Sequence, residues 1–246
     1  MLILHSAVVA VLALPQFWAG KRVIITGASS GLGAALASEL SSRGATLVLA
    51  ARRAPKLAEV VDACEGKATP LVLDACAPPE QLEARAAEAT ALLGGRCDVL
   101  CCCAGLGQRS DAVETSAEAH ARIMGANFEG AVSLTRALLP PMLARGDGAI
   151  VVVSSVQGFF GQPGRSSYAA AKVTWHLTPT PCTSHLAPRT SHLSPHTVHL
   201  TPHTSHLAPR TSHLAPHVHA QGAMINYFDA YVHVHVHAHV HVRQLL

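Results

Sequence analysis

Between Arg22 and Ser154 the chain carries five short, almost wholly apolar runs. They are Arg22-Val-Ile-Ile-Thr26, Thr46-Leu-Val-Leu-Ala50, Thr69-Pro-Leu-Val-Leu73, Asp98-Val-Leu-Cys-Cys102 and Gly148-Ala-Ile-Val-Val-Val-Ser154. A strand with one wet face alternates apolar and polar residues; a continuous apolar run requires cover on both faces. The stretches between the runs supply that cover. Leu32 to Arg43 has helical periodicity, with Leu36 and Leu40 four apart and Gly44 placed to stop it. Pro55 to Cys64 can be helical, and Pro78 to Leu93 is a third helix with Pro near its first turn. Thr115-x-x-Glu118 has capping-box spacing and predicts a long helix toward Arg145, with Pro140-Pro141 interrupting its last turns. Strands alternating with helices pair in parallel through right-handed crossovers. The expected architecture is a doubly wound α/β sheet.

The pattern holds for only part of the chain. Of 17 His, 15 lie between His176 and His241, and of 15 Pro, seven lie between Pro179 and Pro216. From Ser184 the sequence repeats every seven residues: SHLAPRT, SHLSPHT, VHLTPHT, SHLAPRT, SHLAPHV. The period is that of a coiled coil, but each unit holds a Pro and a single large apolar residue. Such a segment buries too little to offset its ordering entropy. Residues 178–246 are therefore expected to be an extended or disordered tail. Near-identical short units are what a translated tandem nucleotide repeat produces, so the chain after about Val173 is expected to derive from a misjoined or read-through coding region.

Val232 to Val242 alternates Val or Ala with His. As a strand it puts His233, His235, His237, His239 and His241 on one face, and neutral imidazole suits Zn or Ni. No carboxylates stand nearby to orient the rings, so no defined metal site is expected. A metal-binding tail remains an alternative reading.

The 246 residues suffice for one large domain. The net charge of +3 is too small and scattered to indicate nucleic acid. Seven Cys, three of them consecutive at Cys101, Cys102 and Cys103, make a poor disulfide framework. They are expected to be small apolar residues in a buried strand of a reduced, intracellular protein. Leu2 to Leu14 is apolar, shorter than the roughly 20 residues of a spanning helix, and ended by Pro15. For residues 1–19 a short membrane anchor, a trimmed longer anchor and a buried lead-in all stay open. The main domain is assigned to residues 20–177.

Thr26-Gly27-x-x-x-Gly31-x-Gly33 lies between a strand and a helix. There Gly lets the backbone turn tightly and approach a pyrophosphate, whose charge the helix N-terminus favours. After the second strand comes Ala51-Arg52-Arg53. A carboxylate at that place would bond the ribose hydroxyls of NAD, whereas Arg pairs with a 2′-phosphate, so NADP is favoured and NAD is the lesser expectation.

Thr26-Gly27-Ala28-Ser29-Ser30-Gly31-Leu32-Gly33, Asn127 in Ala126-Asn127-Phe128, Ser154-Ser155-Val156-Gln157-Gly158 and Tyr168-x-x-x-Lys172 occur in this order. Together they closely resemble the short-chain dehydrogenase/reductases over about residues 20–173, and most of all the member 7 branch, whose members are often membrane-anchored. The resemblance implies a Rossmann-like sheet and interconversion of a ketone or aldehyde and an alcohol. It implies Tyr168 as general acid or base. Lys172, one helical turn on, would lower the Tyr pKa and bond the nicotinamide ribose. Ser155 rather than Ser154 would hold the substrate oxygen. Asn127 would hold a water leading from Lys172 to solvent, and Asp74 would bond the adenine amino group. Thr26, Gly27, Ser29, Ser30, Gly31, Leu32, Gly33, Arg52, Arg53, Ala104 and Gly105 complete the implied cofactor site.

Two departures stand out. Cys102-Cys103-Ala104-Gly105 replaces the family's Asn-Asn-Ala-Gly, which implies weaker support for that loop. After Leu177 nothing resembles the family's later strands and its substrate-covering helix. The fifth strand is therefore expected to end the sheet as a raw edge. A family-type dimer is doubtful, and little or no carbonyl reduction is expected. A catalytically inactive remnant is the alternative.

Overall fold

The computed structural model describes residues 15–177 and the strand Val234–His237. The expected anchor falls on residues 1–14 and most of the expected tail on residues 178–233 and 238–246; these lie outside the described residues. Five strands run parallel: β1 (Arg22–Thr26), β2 (Thr46–Ala51), β3 (Ala68–Val72), β4 (Val99–Cys102) and β5 (Ala149–Val153). The helices are α1 (Gly31–Ser42), α2 (Ala54–Asp62), α3 (Pro79–Leu92), α4 (Ala117–Met124), α5 (Gly130–Arg145) and α6 (Ser166–Leu177). The architecture is the doubly wound α/β sheet read from the sequence.

The two faces of the sheet explain the uninterrupted apolar runs. Val23, Ile25, Leu47, Leu49, Val99 and Cys101 point to one face, where they meet Ala37 and Leu40 of α1 and Leu57 of α2. Ile24, Val48, Ala50, Leu100 and Cys102 point to the other, against Leu82, Ala86 and Ala89 of α3 and Leu134, Leu138 and Met142 of α5. Full burial of each Val, Leu or Ile contributes about 1.5–3 kcal/mol. A one-residue slip would swap the two sets, so the register of Val23 with Leu47 and with Val99 is strongly held. Trp18, 1% exposed, packs into the first of these clusters, two residues before the expected start of the domain. Cys101 and Cys102 are buried free thiols on opposite faces. Pro70 sits in β3, an edge strand, where a missing N–H costs least.

Several expectations are corrected. The long helix is capped by Ser116, whose Oγ accepts from Ala119 N, and not by Thr115. That helix is then interrupted by a π-helical turn, Gly125–Glu129, between α4 and α5. Pro140 and Pro141 do not end α5, which runs on to Arg145, where the Arg145 guanidinium donates to Pro141 O. Finally, the fifth strand is not a raw edge. The strand β6 (Val234–His237) pairs antiparallel with β5, so the tail is not unstructured throughout. The cause is backbone chemistry: β5 offers an unpaired row of N–H and C=O groups, and a two-residue alternation suits any strand. The β6 side chains lie outside the described residues. Among the described residues no helix is long and apolar enough to cross a membrane.

Helix α5 approaches the turn after β3 so closely that a Cβ on Gly130 would lie 2.1 Å from Ala75 O. Ala normally improves a helix interior over Gly by about 1 kcal/mol. Here the sign reverses: Gly130→Ala is expected to lower the urea unfolding midpoint. A midpoint equal to or above that of the unmodified chain would show that this contact yields freely.

Candidate active site

The strand order β3-β2-β1-β4-β5-β6 changes direction between β1 and β4. In sheets of this kind a crevice opens there, beyond the carboxyl ends of the strands. A cavity of about 340 Å³ lies at that place, walled by the turns that follow β1, β2, β3 and β4, and by Ala126. The structure brings Gly27, Ser29, Ser30, Arg52, Arg53, Asp74, Ala104 and Gly105 to its lining. Leu32, half exposed at the start of α1, is not in the lining, and neither are Gly31 and Gly33.

The turn after β1 depends on glycine at two positions. Gly27 has φ +67°, and a Cβ there would meet the Ala104 backbone at 2.7 Å. A Cβ on Gly33 would meet Gly27 O at 2.5 Å, so α1 can start only this close to β1 without a side chain. Ser30, the N-cap of α1, lines the crevice and makes no side-chain capping bond. Arg53 Nη2 donates to Ser29 Oγ at 3.0 Å and to Ser30 Oγ at 2.7 Å, tying the loop after β2 to that turn. Arg52, Arg53 and Asp74 are exposed at the rim, and Asp74 Oδ1 accepts from Cys76 N at 3.0 Å. Thr26 lies beneath: its Oγ1 accepts from Ala104 N at 3.2 Å.

The far wall is the loop after β4, beginning Cys103-Ala104-Gly105-Leu106. It is held without the two amides whose loss was expected to weaken it. Thr26 holds Ala104, and Asn127 Nδ2 donates to Leu106 O and to Ile123 O, both at 2.8 Å. A Cβ on Gly105 would lie 2.7 Å from Asn127 Oδ1, so Gly105 lets the amide close onto the loop. That Oδ1 is buried and has no partner. Asn127 lies in the π-helical turn, which frees its carbonyl; Trp175 Nε1 of α6 donates to it at 2.9 Å.

Helix α6 carries Tyr168 and Lys172 one turn apart. Lys172, 4% exposed, donates from Nζ to Val153 O at 2.9 Å, and Nζ lies 5.6 Å from the Tyr168 ring centroid. Burial lowers the Lys172 pKa from 10.5 to about 8, against an upward pull from Cys102 and Cys103. The cysteines are pushed up by burial, Cys97 and Cys103 to about 12. They therefore stay protonated and inert as nucleophiles. Ser155 caps the 3₁₀ turn Val156–Gly158, its Oγ accepting from Gln157 N at 3.2 Å, and that turn packs on α6. Ser154 is buried.

Sequence reasoning missed Gln108. Its Oε1 accepts from Ser167 N and Tyr168 N, at the start of α6. Nothing in its local sequence marks it, because its partners are 59 and 60 residues away. Trp175 was missed for the same reason.

Residues 21–202 match the short chain dehydrogenase family. The chain belongs to that family. That family is one of oxidoreductases. The chain is 42% identical over 159 residues to a dehydrogenase/reductase SDR family protein 7-like of Anopheles gambiae, covering 62% of this chain and 50% of that protein. It is 36% identical over 169 residues to dehydrogenase/reductase SDR family member 7 of Homo sapiens, covering 63% and 50%. The chain thus spans about half the length of these curated relatives. A solved short-chain dehydrogenase from Streptomyces avermitilis matches with TM-score 0.61 and 35% identity, over 65% of this chain and 58% of that one. A metagenomic short-chain oxidoreductase in complex with NADP matches with TM-score 0.60 and 32% identity, over 63% and 71%.

The buried Lys172 predicts a pH dependence. Between pH 8 and 10.5 the unfolded chain holds the lysine proton while the folded chain releases it, so the lysine's contribution to stability rises with pH across that window and falls again toward pH 8. Below pH 8 the cost of burying the ammonium is constant. Relative to Lys172→Met, the unmodified chain is expected to gain up to roughly 3 kcal/mol over this window. Urea unfolding of both proteins at several pH values measures it. Cys97 and Cys101 titrate alike in both proteins and cancel, whereas Cys102 and Cys103 are coupled to Lys172 and belong to the measured difference. A difference that does not change with pH would refute the shift.

Proposed function

We propose that this short-chain dehydrogenase binds NADP(H) in the crevice between β1 and β4 and interconverts a ketone or aldehyde and an alcohol. The observation that carries this reading is the pairing of Tyr168 with a buried, low-pKa Lys172, next to a cradle that only glycine fits at Gly27 and Gly33. The crevice suits a dinucleotide. The N-terminus of α1 favours a pyrophosphate, Asp74 stands where it can accept from an adenine amino group, and Ala104 and Gly105 allow flat, close approach.

Arg52 and Arg53 favour the phosphorylated cofactor. The Arg53 fork already reaches Ser29 and Ser30, and a 2′-phosphate between these groups would accept from both hydroxyls and from the guanidinium. NAD would leave that cluster without its anion.

When bound, the nicotinamide would supply or receive the hydride. The chain's own residues would manage the proton and the oxygen. Tyr168 would donate its phenolic proton to the carbonyl oxygen, or take it back in the reverse direction. Lys172 would favour the phenolate by its charge and orient the cofactor ribose. Ser155 Oγ, accepting from Gln157 N, keeps its own hydrogen to donate to the substrate oxygen. Asn127 would hold the loop at Gly105 in place; in the family's scheme it also holds a water toward Lys172, and here Trp175 occupies one side of its carbonyl. Any membrane association through the N-terminus and any dimer of the family type are separate from this chemistry.

Titration by fluorescence is expected to give tighter binding of NADPH than of NADH, and Arg53→Ala is expected to reduce the ratio about tenfold or more. Equal affinities in the unmodified chain would remove the basis for NADP preference.

Carbonyl reduction is tested by NADPH consumption over a panel of ketones and aldehydes. The chain as it stands is expected to be slow, below roughly 1 per second. Replacing the residues after Val173 by the corresponding half of a relative should raise the rate, and Tyr168→Phe should abolish it in both proteins. Turnover that survives Tyr168→Phe would overturn the assignment of the proton donor.

A further inference from the structure

We infer that Gln108 is a positioning residue for the Tyr168–Lys172 helix, acting as an N-terminal cap supplied from the loop after β4; this rests on the function proposed above. The first N–H groups of an α-helix have no partner inside the helix. In α6 the first turn is Ser166-Ser167-Tyr168, and the Gln108 side chain takes two of its N–H groups. Oε1 accepts from Ser167 N at 2.8 Å and from Tyr168 N at 3.2 Å. The amide's orientation is fixed by chemistry, because an NH₂ group cannot face two N–H donors.

The other end of the amide is equally committed. Nε2 donates to Thr115 Oγ1 at 2.8 Å, with Ser110 Oγ at 3.4 Å and Ser166 Oγ at 3.5 Å. Ser110 and Thr115 bond each other at 2.8 Å, and Thr115 Oγ1 also donates to Asp111 O. Gln108 is 5% exposed, and its bond from Ser167 N is buried, where leaving a partner unmet costs most. A second tie runs from α4, where His120 Nδ1 and Ser167 Oγ are 2.9 Å apart.

The location gives the cap its consequence. Gln108 lies two residues after Leu106, whose carbonyl is held by Asn127 and which lines the cofactor crevice. One rigid loop thus contacts the proposed cofactor site at Ala104–Leu106 and the first turn of α6 at Gln108. It fixes where the Tyr168 side chain leaves the helix relative to that site. Misplacement of a reacting group by about 1 Å costs on the order of a hundredfold in rate. Gln108 does not itself touch the reacting atoms.

The test compares Gln108→Leu, which keeps the volume and loses every bond, with Gln108→Glu, which keeps an acceptor for both N–H groups and adds a charge that a helix N-terminus favours. Amide hydrogen exchange is followed on the full chain. In Gln108→Leu the Ser167 and Tyr168 amides should exchange at least tenfold faster, while amides of β1 and β4 keep their protection; Gln108→Glu should restore both. With NADPH and a reducible carbonyl, Gln108→Leu should lower kcat about tenfold or more and leave KM for NADPH within about threefold. Uniform acceleration of all amides would mean that Gln108 only holds the fold together, and unchanged exchange at Ser167 and Tyr168 would mean it does not cap the helix. Either result overturns the inference, as does an unchanged kcat. If neither the unmodified chain nor the chimera with a relative's C-terminal half consumes NADPH with any carbonyl, the proposed function falls, and the exchange pattern alone still decides the role of Gln108.

Discussion

The site is organised around one close approach, that of the loop after β4 onto the turn after β1. Gly27 turns with positive φ directly against the Ala104 backbone, and a single methyl group there would push the two apart. Thr26 closes the same junction with one hydrogen bond to Ala104 N. Everything around the crevice is placed relative to this contact. Helix α1 begins where it does because Gly33 has no side chain to strike Gly27 O. The loop beyond Ala104 then passes Asn127 and reaches Gln108 and the start of α6. A sheet that reverses its strand order creates the gap; two glycines and a threonine hydroxyl decide its shape.

Most polar groups near this contact are held by specific partners, although Asn127 Oδ1 is buried without one. Asn127 is placed by a π-helical turn, an arrangement in which one extra residue loosens the hydrogen-bond ladder and frees a carbonyl. Trp175 takes that carbonyl, and its ring meets Phe128 edge-on at 4.9 Å between centroids. Lys172 is buried among apolar neighbours and thiols, with one carbonyl partner in Val153, so its pKa falls to about 8 instead of rising. Desolvation outweighs the upward pull of Cys102 and Cys103. Such a lysine is poised to change charge near neutral pH, which suits a group whose proposed task is to tune a neighbouring phenol.

Local pattern carried the reading where the physical cause is itself local. Each of the five parallel strands starts and ends within about a residue or two of its apolar run, because alternation between two covered faces leaves a continuous signature. Gly27, Ser29, Ser30, Arg52, Arg53, Asp74, Ala104 and Gly105 are spread over 79 positions of sequence yet line one crevice. Gly27, Arg52 and Arg53 were legible in the glycine turn and in the basic pair after a strand, and the others were implied by the family resemblance. Where competing local choices existed, the sequence misled. Ser116 and Thr115 are both good caps, and the fold uses Ser116 because Thr115 Oγ1 is drawn into the Gln108 cluster. Pro140 and Pro141 were expected to interrupt the last turns, yet the packing of Leu138 and Met142 carries α5 past them unbroken.

The sequence by itself determined the doubly wound sheet, the glycine turn and the spacing of Tyr168 and Lys172, since hydrophobic period, glycine's backbone freedom and the pitch of a helix act within a few residues. Tertiary structure alone decided what caps α6, what occupies the Asn127 carbonyl, how far the Lys172 pKa falls and what covers the edge of β5. Each of these depends on groups dozens of residues apart along the chain: 59 between Gln108 and Ser167, 48 between Asn127 and Trp175. Hydrogen bonds and burial act only at contact distance, and contact between distant residues exists only once the chain has folded.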